Sequence, residues 1–276
     1  RCLSDWSSDV CSSDLGRRGR LYDSVASTPT THIAKPDTRL VKFQPSAMNE
    51  YLCMRLAATI KLPVPPVHLI QVPETVYIVQ RYDRIVLGDT VKCLHQVDGC
   101  QLLGLGQDWK YERQGLVSLK RIVEALRGLQ LPAKDLLNFQ RWVMFNYLIG
   151  NSDAHAKNIS VLIDETGYAL APFYDLMCVQ VYGDDRLALF IGDEDQFASI
   201  GAHSWEAFCE DCGFGVKPTL TLFRKMANDV AKAWVAVTAQ AMAEFAPSPK
   251  EVALIHAITK VIEANCLAAI SMTAKR

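Results

Sequence analysis

The chain has 276 residues, half of them hydrophobic, enough apolar material for one large core or two smaller ones and too much for a disordered polypeptide. Lysine and arginine total 29 against 30 aspartates and glutamates, a balance that gives no electrostatic reason to expect a general nucleic-acid or anionic-membrane binder. No apolar run stands out as long enough to span a bilayer and no secretory pattern opens the chain, so a soluble cytoplasmic protein with reduced cysteines is the expectation.

The first stretch repeats Ser-Asp units at Ser4-Asp5, Ser8-Asp9 and Ser13-Asp14 without apolar periodicity, and residues 1–20 read as a non-native or disordered tail. A short strand, Thr31 to Lys35, is stopped by Pro36, and a polar loop leads to Ser46 as a helix N-cap. Tyr51, Leu52, Leu56 and Ile60 then recur at helical spacing in an amphipathic helix that Pro63, Pro65 and Pro66 forbid beyond Leu62. His68 to Val72 and Val76 to Arg81, rich in β-branched residues, predict a hairpin. Beyond Asp83 the strand signals mostly vanish, and helices are expected at 116–128 and from Lys134 to Ile149, ended by Gly150. One more hairpin, Ile159 to Ile163 and Tyr168 to Phe173, turns at 164–167, and two helices broken at Pro247-Ser248-Pro249 complete the chain. The expectation is an α+β, two-lobed fold, with a partial β-rich N-lobe over 21–84 and a mostly helical C-lobe over 85–276.

Phosphoryl transfer from ATP requires metal-binding oxygens, a carboxylate beside the attacking hydroxyl and a cation on the non-transferred phosphates, all on rigid elements. Asp153 and Asn158 have the Asp-x4-Asn spacing of a kinase catalytic loop, and the following hairpin returns to Asp175, so Asn158 and Asp175 are placed to share a metal while Asp153 faces the acceptor. Asp175 has apolar neighbours, Pro172-Phe173-Tyr174 before it and Leu176 after it, and a charge there calls for a counter-ion such as Mg2+. Upstream, Lys35 ends a strand and Glu50 opens a helix, as in the lysine–glutamate pair of kinases. Asp-x4-Asn alone is a weak signal; the ordered set of four features is a much stronger one.

The segments Thr31-His32-Ile33-Ala34-Lys35-Pro36, Asn49-Glu50-Tyr51, Arg81-Tyr82-Asp83-Arg84, His95-Gln96, residues 148–158 and Pro172-Phe173-Tyr174-Asp175-Leu176, taken in order, resemble the signature of the HipA family of toxin–antitoxin serine/threonine kinases. The resemblance implies a protein-kinase-like fold that uses ATP and Mg2+. It implies Lys35 on the phosphates, Gln80, Arg81 and Tyr82 as the hinge beside adenine, and Asp153 as catalytic base. His155, Lys157 and Asn158 would complete the phosphate and metal site, with Tyr174 near the nucleotide and Asp175, together with Asn158, on the metal. The implied partners are a HipB-like helix-turn-helix antitoxin, DNA only indirectly through it, and a protein substrate such as an aminoacyl-tRNA synthetase, with no membrane. The family's usual hinge is Glu-Arg-Phe, so Tyr82 keeps the ring but Gln80 departs from the pattern. Ahead of the Lys35 strand the family carries a glycine-rich phosphate loop with a regulatory serine nearby, which Gly16-Arg17-Arg18-Gly19 does not reproduce. The chain therefore reads as an N-terminally truncated fragment, expected to bind ATP weakly or not to turn over. Two rivals stay open: a lipid or small-molecule kinase of the same superfold, and a non-catalytic antitoxin-binding co-repressor.

Three further motifs have weaker functional readings. Cys209-Glu210-Asp211-Cys212 is half of a zinc or redox motif without a second pair, Gly104-Leu105-Gly106 lacks the remainder of a nucleotide fingerprint, and the sequon at Asn158 carries little weight in a cytosolic protein.

Overall fold

The computed structural model describes residues 11–15, 21–23, 29–71, 74–88 and 90–274; positions 1–10 and 16–20 of the expected tail lie outside them. The first lobe contains β1 (Cys11–Leu15), β2 (Leu21–Asp23), β3 (His32–Pro36), α1 (Ser46–Thr59), β4 (Val67–Gln71) and β5 (Thr75–Gln80). Its strands form one antiparallel sheet in the order β2-β1-β3-β5-β4. Part of the stretch expected as a tail is thus strand β1, with Cys11 opposite Ala34 and Ser12 opposite Ile33. Its backbone occupies an edge of β3 whose N–H and C=O groups otherwise need other partners.

Helix α1 corrects two expectations. Ser46 is its first helical residue rather than its N-cap, and its hydroxyl accepts the Thr38 N–H at 2.9 Å. Asp37, from the preceding loop, accepts the Ala47 N–H at 2.8 Å and places a carboxylate at the positive end of the helix. Nor is the helix amphipathic, because Met48, Leu52, Cys53, Met54, Leu56 and Ala57 are all fully buried. The sheet covers one side of α1 and the C-terminal helices another. At its far end Arg141 donates to the carbonyls of Ile60 (2.8 Å) and Lys61 (3.0 Å), closing the last turn from the other lobe.

The second lobe begins with strands where the strand signal was expected to fade. β6 (Arg84–Leu87) and β7 (Thr90–Cys93) form a separate ribbon, and β8 (His95–Asp98) pairs with β9 (Ser160–Asp164), which pairs with β10 (Gly167–Leu170). Helices α2 (Gly99–Leu102), α3 (Leu119–Gly128) and α4 (Ala133–Ile149) lie between β8 and β9. After β10 come β11 (Arg186–Ile191), β12 (Glu194–Gln196), α5 (Ala202–Cys212), α6 (Val216–Phe245) and α7 (Pro249–Ala274). Within α7, an 18-residue window of Pro249–Thr273 has mean hydropathy 1.5, and the helix is long and apolar enough to cross a membrane by length and composition, so one such run exists after all. Lys260 and Glu263 interrupt it, and here the helix packs against α6, α4 and α1.

Helix α4 is the post on which the rest of the second lobe is hung. Trp142, Phe145, Tyr147, Leu148 and Ile149 are buried, and Tyr147 stacks on Phe197 at 5.6 Å while Trp205 and Phe223 meet it edge-on, each at 5.7 Å. Gly150 ends the helix in the left-handed region (φ 71°), and its carbonyl accepts the N–H groups of Val179 and Gln180, both at 2.9 Å. A Cβ at this position would lie 2.6 Å from both Gln180 Oε1 and Val261 Cγ1. Gly150→Ala is therefore expected to lower folding stability by about 2 kcal/mol, part backbone and part overpacking, read as a shifted urea midpoint at unchanged slope.

Candidate active site

Lys35 stands at the centre of the cleft between the lobes. Its ammonium donates to Glu50 Oε1 (2.9 Å) and Oε2 (3.1 Å) and to Asp175 Oδ1 (3.1 Å), so one cation joins β3, α1 and the loop after β10. Burial alone would pull the lysine down, but the charges of Asp175 and Glu50 reverse this and hold it above its usual value. Burial dominates at Glu50, which is pushed up to about 7 despite Lys35. At Asp175 burial is outweighed instead, chiefly by Lys35, and the carboxyl is held below the ordinary range. Asp175 has φ 58°, a conformation uncommon for non-glycine residues, which turns the chain sharply just after the Pro172-Phe173-Tyr174 run.

This turn is fixed from both lobes. Asn49, fully buried, accepts the Cys178 N–H and donates to the Cys178 carbonyl, each at 2.9 Å, while Gly150 takes the next two N–H groups. Helix α1, which carries Glu50, is thereby joined to the segment that carries Asp175.

The catalytic-loop candidate runs from Asn151 to Asn158 and is built by local bonds. Asn151 donates to Asn146 Oδ1 (2.7 Å) and accepts the Asp153 N–H (3.2 Å), and a turn between His155 and Asn158 (2.9 Å) closes its far end. Gly99 anchors it from outside by donating its N–H to the Ile159 carbonyl at 2.8 Å, so close that a Cβ on Gly99 would lie 2.5 Å from Ala156 O. Asn158 donates to Asp175 Oδ2 at 2.9 Å, but its own Oδ1 is buried without a hydrogen-bond partner. A lone acceptor beside an ionised carboxylate fits a hard divalent cation, and Mg2+ needs few protein oxygens because phosphates and water complete its shell.

Two cavities meet at this constellation, with Gln96 and Tyr174 as shared walls. One, of about 400 Å³, is lined by His155, Lys157, Asn158 and Asp175; the other, of about 180 Å³, by Lys35, Glu50, Gln80, Arg81 and Tyr82. Tyr82 and Tyr174 stack at 5.5 Å, the Tyr82 hydroxyl donates to Gln96 (2.5 Å), and that of Tyr174 to the Lys157 carbonyl (2.5 Å). Arg81 is held by a two-point bond to Asp83 at 3.0 and 2.9 Å. Both ring nitrogens of His155 are buried without partners, and burial together with the nearby Lys110 ammonium depresses the imidazole to about 3.

Asp153 lines neither cavity. It is half-buried, burial raises it to about 7, and Tyr111 donates to its Oδ1 at 2.8 Å. The structure thus brings Lys35, Glu50, Asn158 and Asp175 into direct contact, and Asp153 stands earlier on the loop that carries Asn158. Sequence reasoning missed Tyr111 and also Asp98 and Gln101, which line the larger cavity, and it offered no chemistry for Asn49 or Gln96. Only for Asn49 and Gln96 was there a signal, their place in the family-like segments.

Compared with known proteins, the chain matches the model of the HipA-like C-terminal domain over residues 12–234. It is 36% identical over 220 residues to the Y4mE protein of Sinorhizobium fredii, covering 78% of this chain and 52% of that one. It is 30% identical over 221 residues to the serine/threonine-protein kinase toxin HipA of Shewanella oneidensis, covering 74% and 50% respectively. The chain therefore spans about half the length of these curated relatives. Among solved structures, HipA from the Shewanella oneidensis complex of HipA, HipB and operator DNA superimposes with TM-score 0.87 at 24% identity, covering 96% of this chain and 64% of that one. The proinflammatory kinase CtkA of Helicobacter pylori superimposes with TM-score 0.59 at 12% identity, covering 88% and 90%. Both likenesses place the fold among protein-kinase-like structures.

Removing the cation should expose what it neutralises. Because Glu50 lies near 7 in the folded chain against an ordinary 4.5, the folded state keeps a proton that the unfolded state releases, and stability falls as pH rises through that window. In Lys35→Met the window should extend upward, so the expected loss is about 3 kcal/mol near pH 8 and much smaller near pH 5. Urea titrations at the two pH values measure it, and a loss independent of pH would contradict the burial argument.

Proposed function

The chain belongs to the family of HipA-like C-terminal domains, and from that membership we propose that it is the catalytic part of an ATP- and Mg2+-dependent serine/threonine protein kinase. The observation that carries this reading is Asp175, which binds Lys35 from one lobe with one oxygen and Asn158 from the other with the second. Such a junction of cation, carboxylate and amide is what holding a triphosphate requires.

In this reading Lys35, aimed by Glu50, holds the non-transferred phosphates, and Gln80, Arg81 and Tyr82 border the adenine. Lys157 and His155 face the phosphate end of the same cleft. Asn158 and Asp175 would hold Mg2+, which when bound supplies charge neutralisation at the γ-phosphoryl group. Asp153 accepts the proton of a serine or threonine hydroxyl as that oxygen bonds to the γ-phosphorus and the bond to the β-phosphate oxygen breaks. Ionisation near 7 suits Asp153 to this work, since a base is most useful when its affinity for protons matches the ambient pH.

The complex of HipA with HipB and operator DNA supports a HipB-like antitoxin as partner, with DNA reached through it. The family resemblance supports a cytoplasmic protein substrate such as an aminoacyl-tRNA synthetase, without a membrane.

In the chain joined to the family's glycine-rich phosphate loop, Asp153→Ala is expected to lower γ-phosphate transfer about 10²- to 10⁴-fold without weakening ATP binding. Asn158→Ala and Asp175→Ala should instead make ATP binding, followed by calorimetry, indifferent to magnesium. In the chain joined to the family's glycine-rich phosphate loop, magnesium-independent ATP binding would defeat the proposal, and magnesium-dependent binding without transfer would favour a non-catalytic subunit.

A further inference from the structure

Tyr111 lies between two short 3-10 turns, Gln107–Trp109 and Glu112–Gln114, 42 residues upstream of the side chain it bonds. It is 5% exposed, and its environment fixes the ring on several sides. The Arg113 guanidinium lies 4.6 Å from the ring centre, the Lys110 ammonium 5.1 Å from it, and the His155 imidazole meets it edge-on at 5.5 Å. Its backbone is equally constrained, with the Tyr111 N–H donating to Gln114 Oε1 at 3.0 Å and the neighbouring Lys110 carbonyl accepting the Ala156 N–H at 3.2 Å. A phenol held this firmly delivers its O–H to one place, Asp153 Oδ1, at 2.8 Å. Asp153 Oδ2 takes no hydrogen bond among the described residues.

We propose that Tyr111 is a positioning residue for the phosphotransfer: it holds Asp153 by one carboxylate oxygen and thereby presents the other to the acceptor hydroxyl. The inference rests on the kinase reading above and deepens it. A carboxylate on a single flexible bond can rotate its oxygens away from an acceptor, and a donor fixed by its own packing removes that freedom. The ring would fill the same space without its hydroxyl, so packing alone does not account for the short bond. Burial and the charges of Asp175 and of Asp184, from the loop before β11, disfavour the Asp153 carboxylate, whereas the Tyr111 hydroxyl and the charge of Lys110, from the Tyr111 segment, favour it. Of these Lys110 alone is cationic, so Tyr111 is the neutral donor that offsets two like charges.

The test is Tyr111→Phe, which keeps the ring and deletes only the hydroxyl, with turnover measured in the chain joined to the family's glycine-rich phosphate loop. The expected result is a fall in kcat of about tenfold, the size of one hydrogen bond to a charged group, with KM for ATP and the melting temperature unchanged. The acid limb of the pH–rate profile should also move to higher pH, because the ionised carboxylate has lost a donor. A second measurement does not depend on turnover: in the magnesium-free chain the Asp153 carboxyl carbon, followed by NMR, should titrate at higher pH in the variant. An unmoved titration, or a moved one with unchanged kcat and pH profile, overturns the assignment. If the unaltered chain joined to the family's glycine-rich phosphate loop transfers no phosphate, the kinase reading fails, and with it the catalytic half of this inference, whereas the titration still decides whether Tyr111 holds Asp153.

Discussion

One ammonium group organises this molecule. Lys35, only 21% exposed, stays a cation because two carboxylates from different parts of the chain surround it, one on α1 and one at the turn after β10. Withdrawing Glu50 fully and Lys35 and Asp175 largely from water is expensive, and the arrangement persists only where the geometry lets each satisfy the others. The sheet that holds Lys35, the helix that holds Glu50 and the loop that holds Asp175 are therefore constrained together. Correct folding of the cleft and correct placement of the phosphate-binding groups become the same event.

The support for this centre is mostly backbone. Asn49 and Gly150 both address the main chain just beyond Asp175, one from α1 and the other from the end of α4, and Arg141 on α4 closes the last turn of α1. Gly99 similarly addresses the main chain of the loop that carries Asp153 and Asn158. A site assembled this way has its functional side chains on rigid supports, backed by the aromatic packing around Tyr147 in the last turn of α4.

Much of this was legible in the sequence, for identifiable reasons. The Lys35 strand, the Glu50 helix, the hairpins and Gly150 as a helix stop carry local signals, namely β-branched runs, helical spacing, prolines and a glycine at a left-handed position. The ribbon β6–β7 was missed although Gly88-Asp89 between Arg84–Leu87 and Thr90–Cys93 is a hairpin turn signal, because its Ile85, Val86 and Leu87 form a continuous apolar run instead of alternating. Ser46 was misplaced as a cap because the actual capping carboxylate, Asp37, comes from across a loop, and sequence spacing cannot show that. Tyr111 was invisible for the same reason: nothing in a loop tyrosine points to an aspartate on a distant segment until the fold brings them together. Where the N-terminal part of the chain was read as a tail, low apolar periodicity in β1 was outweighed by pairing to β3, which depends on backbone groups and not on side-chain pattern.

The Asn49 clamp has an asymmetric consequence for how the protein can diverge. Its amide reads the N–H and C=O of Cys178, groups that every residue except proline carries in full. The requirement therefore falls on one partner alone: position 49 needs a short carboxamide, whereas position 178 is restricted by volume and not by chemistry. Descendants of this chain can drift at the second position while the first stays fixed, so the bond between 49 and 178 would leave no paired trace in a comparison of their sequences, unlike the second bond of the same amide, to the Tyr182 hydroxyl at 3.0 Å.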